Sequence, residues 1–154
     1  MLRTYLLPLS GVRRGVVKPR ILFLCTGNSF RSQMAEGFIR HLALDRFDVV
    51  SAGTEPVPLN PGAVEAMAEI GIDISAQRSK AVEPFLRQQF TYVITVCDRA
   101  AERCPFFPGP ARRLEWSVPD PATVRGSEAE RRSAFRAVRD LIGGKIRDLI
   151  ETGA

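Results

Sequence analysis

Histidine occurs once in this chain, at His41, and no Cys-x2-Cys pair exists, so the ligand sets from which zinc sites are usually built are missing and no metal is expected. No apolar run approaches the ~20 residues needed to span a bilayer, which points away from the membrane. Lysine is also scarce, with 3 against 19 arginines, and the net charge is +5. No basic run is interleaved with aromatics, and the arginines are scattered along the chain. That pattern fits a surface attracting small oxyanions or an acidic partner better than one built for nucleic acid. Cysteine is limited to three residues, an odd number that argues against a secreted disulfide framework and suits the cytoplasm. Acidic residues are absent before Glu36. Leu6, Leu7 and Leu9 followed by Arg13, Arg14 and Lys18 mimic a targeting peptide, but Pro8 and Gly11 interrupt the apolar stretch and no convincing cleavage pattern follows.

What is present is enough for one buried core: 154 residues, 45% hydrophobic. Residues 1–19 read as a loosely ordered N-terminal arm and 20–154 as one domain. Strand-like runs at 20–25, 47–51, 91–96 and 113–116 alternate with helical patterns at 32–45, 60–70 and 82–88, and a last helix spans 127–150. In the first helix Met34, Phe38, Ile39 and Leu42 share a face. Asn60-Pro61 looks like an N-cap followed by proline at the first helical position, Gly71 ends that helix, and Gly143-Gly144 mark a bend or close packing in the last. The expected fold is α/β, a central four-stranded parallel sheet with helices on both faces and its ligands at the strands' carboxyl ends. Cys25 and Cys97 both lie there.

The run Cys25-Thr26-Gly27-Asn28-Ser29-Phe30-Arg31-Ser32 follows the apolar strand and opens a helix. Five residues between thiol and guanidinium let the chain curl. The N–H groups of Thr26, Gly27, Asn28, Ser29 and Phe30, the next helix's positive end and the Arg31 fork can then converge on one tetrahedral anion, with Cys25 beneath its central atom. In that field a thiol normally near pKa ~8.5 is expected to be largely ionised at neutral pH. Ser32 can donate to the thiolate, and Gly27 and Asn28 suit positive φ. Cys97 and Cys104, with six residues between them, follow the central apolar strand; by themselves they read either as a redox pair or as two structural cysteines. Asp120-Pro121 is by itself a turn signal, and beside an anion loop its carboxyl group is placed to deliver a proton.

This set of motifs resembles the low-molecular-weight tyrosine phosphatase superfamily, and Cys25-Thr-Gly-Asn-Ser-x-Arg-Ser-Gln-Met-Ala-Glu-Gly37 looks most like its thioredoxin-coupled arsenate reductases. The likeness runs from about Arg20 to Leu149 and includes Val50-Ser51-Ala52-Gly53, Gly71-Ile-Asp-Ile-Ser75, Val96-Cys97-Asp98 and Pro119-Asp120-Pro121-Ala122. It implies arsenate as substrate, thioredoxin as reductant, and no cofactor, since three cysteines supply the electrons. Cys25 would attack arsenic while Asp120 protonates a departing hydroxyl. Cys97 would then take Cys25 into a disulfide, and Cys104 would move that bond to Cys97–Cys104, where thioredoxin reduces it. A straight helix over 97–104 would hold those two Cα atoms roughly 10 Å apart. A disulfide tolerates about 4.4–6.8 Å, so the pairing requires this segment to loop out, and Pro105, Pro108, Gly109 and Pro110 are poorly suited to continuing a helix.

The rival readings are a tyrosine or small-phosphoester phosphatase, a mycothiol-coupled reductase and a basic binding protein. Phosphatase relatives carry tyrosines after Asp-Pro and an aromatic wall after Ser-Ala-Gly-Thr. Here Ala122 and Glu55-Pro-Val-Pro-Leu59 stand in those places, and neither phosphatase nor mycothiol chemistry needs Cys97 with Cys104. One departure from the reductases concerns a potassium ion that some relatives hold with Asn, Glu and Ser side chains plus a Thr-Ser-Asp tripeptide. Asn28, Glu36 and Ser51 match, but the tripeptide is Arg78-Ser79-Lys80, so Arg78 or Lys80 is expected to replace the ion.

Overall fold

The computed structural model describes residues 17–98 and 103–153. Its elements run β1 (Arg20–Cys25), α1 (Arg31–Leu42), β2 (Asp48–Gly53), α2 (Pro61–Ala68), a 3-10 turn (Glu83–Phe85), β3 (Tyr92–Cys97), β4 (Arg112–Ser117), a second 3-10 turn (Pro121–Thr123) and α3 (Glu128–Thr152). The strands form one parallel sheet ordered β2-β1-β3-β4. This is the four-stranded α/β domain expected from the sequence. Residues 1–16 of the expected N-terminal arm lie outside the described residues. Positions 18 and 19 are already tied down, because Lys18 pairs with Asp48 and the Pro19 carbonyl accepts the Asp48 N–H at 3.0 Å.

Strand β1 is apolar throughout because it is central and covered twice. Ile21 and Phe23 join a core with α1, α2 and α3, while Leu22 and Leu24 join a smaller one with Ala52, Val82, Phe90, Val93 and Phe107. The two faces are thus covered differently. All three α-helices lie on the first, and among the described residues the second carries the Glu83–Phe85 turn and the irregular segment around Phe107. The expected helix over 82–88 condenses into that single turn, with Pro84 at its start. Leu42, expected on the buried face of α1, is 44% exposed because the helix ends there and the last buried position on that face is Ile39.

Local chemistry fixes the helix ends. The Asn60 side chain accepts the Gly62 N–H and Pro61 opens α2, while Gly71, at φ +82°, ends the following turn. Helix α3 begins with a capping box in which Ser127 and Glu130 satisfy each other's N–H groups. Of the glycine pair in α3, Gly143 allows close packing, since a Cβ there would sit 2.9 Å from Phe38 Cζ, and Gly144 faces open space.

The register of β1 against β2 sets Cys25 opposite Gly53, where the anion loop leaves the sheet. A Cβ at Gly53 would come within 2.5 Å of the Thr26 carbonyl oxygen and 3.0 Å of the Asn28 N, both backbone atoms with nowhere to retreat. Gly53→Ala is therefore expected to cost about 1–3 kcal/mol of stability. The same substitution should weaken oxyanion binding, measured as the shift in melting temperature on adding phosphate; an unchanged shift would contradict this placement.

Candidate active site

The loop from Cys25 to Phe30 turns its carbonyls outward, and each has a named partner. The oxygens of Cys25, Thr26, Gly27 and Ser29 accept the N–H groups of Thr54, Glu55, Val57 and Asn60, at 3.4, 2.9, 3.0 and 2.9 Å. The Asn28 oxygen accepts from Gln33 at 3.1 Å, and that of Phe30 closes the first turn of α1 with Met34 N–H. Gly27 also accepts from the Ser79 hydroxyl. With carbonyls outward, the loop's N–H groups face inward around the sulfur, and that of Asn28 donates to Cys25 Sγ at 3.0 Å.

Asn28 makes the turn possible, being the only non-glycine residue at positive φ among the described residues, at +48°. Gly27, expected to share that conformation, does not adopt it. Its missing side chain serves instead to admit Val57, whose Cγ2 would lie 3.3 Å from an added Cβ. Phe30 turns its ring into the core against Phe135 and carries the Arg31 guanidinium 5.0 Å over it, so its side chain helps seat that arginine.

Cys25 is free, buried, and 2.8 Å from Ser32 Oγ. Burial pushes its thiol up from the ordinary value. The Ser32 hydroxyl, the Asn28 N–H and the Arg31 charge pull it down without overcoming burial. The largely ionised thiol expected from the sequence is therefore corrected: cationic and donor residues are legible in a motif, whereas the depth at which the sulfur sits is set by the fold. Arg31 is buried with the loop, and its Nη1 donates to the Val118 carbonyl at 3.0 Å. That bond ties the guanidinium to the segment leading into Asp120. The Asp120 Oδ1 accepts the Ala122 N–H at 2.8 Å and so caps the short turn after it. The remaining carboxyl oxygen is not used in this cap.

Cys97 and Cys104 are joined in a disulfide with Cα atoms 5.9 Å apart, inside the range such a bond accepts. Residues 103–110 form neither helix nor strand, and residues 99–102 of the segment expected to loop out lie outside the described residues. Cys97, 1% exposed, ends β3 in the strand next to that of Cys25, while Cys104 is partly exposed.

Sequence reasoning left Gln33 and Gln77 unnoticed. Gln33 was legible only as part of the motif, and its buried amide is explained by a contact 45 residues away, with the Arg78 carbonyl.

Residues 20–152 match the family described as low molecular weight phosphotyrosine protein phosphatase. The chain belongs to this family, on its arsenate reductase branch. It is 48% identical over 136 residues to an arsenate reductase of Shouchella clausii, covering 88% of this chain and 98% of that protein. A solved arsenate reductase in the oxidized state superimposes with a TM-score of 0.73 at 31% identity, covering 88% of this chain and 98% of that one. A thioredoxin-dependent arsenate reductase of Corynebacterium glutamicum aligns with a TM-score of 0.67 at 28% identity, over 92% of this chain and 66% of that one.

Behind the loop, a buried carboxylate is met by side-chain cations. Glu36, buried on α1, accepts from the Ser51 hydroxyl at 2.5 Å and from Arg40 Nε at 2.8 Å. The Lys80 ammonium lies 3.5 Å from the same carboxylate and 2.8 Å from the Arg78 carbonyl oxygen. Of the two candidates for replacing a metal cation, Lys80 presents its charge to Glu36, whereas Arg78 offers its carbonyl and has an exposed side chain. Potassium at constant ionic strength should therefore alter neither the melting temperature nor the KM for arsenate. Lys80→Asp should introduce a potassium-dependent gain in melting temperature. A specific potassium effect on the unsubstituted protein would rule out the replacement.

Proposed function

We propose that this protein reduces arsenate to arsenite through a relay of its three cysteines and is regenerated by thioredoxin in the cytoplasm. The observation that carries the reading is a Cys97–Cys104 disulfide at the end of β3 beside a free Cys25 at the end of β1. A phosphatase has no use for that pair. The loop N–H groups, the positive end of α1 and Arg31 hold the oxyanion. Cys25 attacks arsenic, and Asp120 gives its proton to the departing hydroxyl, which leaves as water. Cys97 then attacks Cys25 Sγ. The sulfur–arsenic bond breaks with its electron pair on arsenic, releasing arsenite and leaving a Cys25–Cys97 disulfide. Cys104 attacks Cys97 Sγ, freeing Cys25 as a thiolate.

Exposure decides how the final disulfide is reduced. Cys97 is buried, so an external thiolate reaches Cys104 and Cys97 departs as the leaving group. The second thiol of the partner then resolves the mixed disulfide, completing a two-electron transfer. Phe106, two residues on, is 75% exposed, with the Arg113 guanidinium 4.6 Å over its ring. Its neighbour Phe107 is buried edge-on against Phe90, which anchors the backbone and holds Phe106 outward. We assign Phe106 to the contact with the reductant. Phe106→Ser should raise the KM for thioredoxin about tenfold, the loss of part of one buried aromatic side chain, and leave the KM for arsenate unchanged.

The direct test is NADPH oxidation coupled through thioredoxin and its reductase, with arsenate and a phosphoester run in parallel. Arsenate-dependent turnover is expected. Cys25→Ser should abolish every activity. Cys104→Ser should stop thioredoxin-coupled turnover while sparing slow phosphoester hydrolysis, because the cradle cannot fully reject a second tetrahedral anion. Normal coupled turnover by Cys104→Ser would refute the relay.

A further inference from the structure

Behind the anion loop, four side chains lead from the protein's flank to the sulfur. Gln77 Nε2 lies 2.8 Å from Gln33 Oε1, Gln33 Nε2 3.0 Å from Asn28 Oδ1, Asn28 Nδ2 2.8 Å from Ser32 Oγ, and Ser32 Oγ 2.8 Å from Cys25 Sγ. An amide's oxygen and nitrogen are ordinarily interchangeable in such a chain. Here backbone groups fix every one of them. The Lys80 N–H, which can only donate, faces the Asn28 side chain at 2.8 Å, so the atom there is the oxygen and the amide nitrogen faces Ser32. The Asn28 and Arg78 carbonyls, which can only accept, face Gln33 at 3.1 and 2.9 Å, so its nitrogen is on that side and its oxygen faces Gln77; of its two hydrogens one goes to Arg78 and the other is shared between the carbonyl and side-chain oxygens of Asn28. The Gln33 carbonyl, 3.0 Å from Gln77, fixes the last amide in the same sense. Ser32, having accepted from Asn28, keeps one hydrogen, and a thiolate can only accept it.

We propose that Gln77 is the outer end of a one-way hydrogen-bond chain, Gln77 to Gln33 to Asn28 to Ser32 to Cys25, that stabilises the Cys25 thiolate, making Gln33 and Gln77 positioning residues for the nucleophile. Every donor points toward the sulfur, so each bond polarises the next, and the last is strongest when the sulfur is charged. The chain favours the thiolate over the thiol and over a disulfide sulfur. It therefore serves Cys25 twice, as it attacks the oxyanion and as it departs when Cys104 attacks Cys97. This deepens the relay above and rests on its assignment of Cys25 as nucleophile.

The test titrates the Cys25 thiolate by its ultraviolet absorbance in the Cys97→Ser, Cys104→Ser double variant, where no other thiol contributes. It involves no turnover, so it can fail with the relay intact and hold with the relay wrong. Gln77→Met keeps the shape and removes the donor; the Cys25 midpoint should rise by about 0.2–0.5 pH unit. With Gln33 held in place by the Asn28 and Arg78 carbonyls, ionised Gln77→Glu offers acceptors only, loses the outermost link and sets a carboxylate oxygen against Gln33 Oε1. Its midpoint should rise further, by about 1 unit, and the rise should persist in high salt, where a remote charge is screened. Gln77 is only partly buried, so both variants should fold. Unchanged midpoints in both, or melting temperatures that fall with the midpoint fixed, would overturn the proposal and leave Gln77 a purely structural residue.

Discussion

A peptide group has two ends, and a loop that turns its N–H groups toward one point must dispose of as many carbonyls on its other side. The site depends on this constraint. Buried carbonyls left unpaired would cost about 1–3 kcal/mol each, and five in succession would cost about as much as the whole stability of a typical domain. The chain meets the constraint with residues 54–60, which leave β2 and run alongside the anion loop, donating four N–H groups in order. The sheet register makes this possible by setting Gly53 against Cys25, so that both strands end level and their continuations stay in reach. Gly53 lacks a side chain for the same reason: the loop's backbone occupies the space.

Cys25, the proposed nucleophile, is subject to two opposed effects. Taking the sulfur out of water favours the thiol, and the donors around it favour the thiolate. Burial prevails in this structure, and each donor works against it, a hydrogen bond to a charged group being worth about 1.5–3 kcal/mol. A buried sulfur held by such donors responds to any change in them. The same depth keeps solvent thiols and oxidants from it, which an exposed low-pKa cysteine could not do.

The sequence disclosed what depends on local pattern. Apolar runs gave the strands, Asn60-Pro61 and Ser127 gave helix starts, and Cys-x5-Arg-Ser between a strand and a helix gave the loop. It did not disclose what depends on contacts distant in the chain. Leu42 fits the apolar stripe of α1, but its exposure follows from where neighbouring elements stop. The 82–88 segment has the composition of a short helix, and packing against Phe90 and Phe107 reduces it to one turn. Arg31's hold on Val118 spans 87 positions, and the Gln77 contact with Gln33 spans 44; no periodicity records either. The ionisation of Cys25 escapes local pattern for a related reason, because burial is a sum over the fold.

The unequal covering of the sheet also separates two mechanical demands. The anion loop must hold several atoms within a few tenths of an ångström, and it grows from β1 into α1, the helix enclosed by the larger core and buried from Arg31 to Ile39. In the proposed relay the Cys97–Cys104 pair would change partners, which requires its chain to move without unfolding the domain. It sits where the cover is irregular and lies over the smaller core. Phe107, edge-on to Phe90 with the Arg20 guanidinium on that ring's other contacts, pins this cover beyond Cys104, so displacement of the cysteine is confined to the residues before the pin. A disulfide shuttle in the helical face would have had to break the packing that shapes the anion site. On the second face it can open and close while the loop, the Gln33 contacts and the end of α1 stay in place.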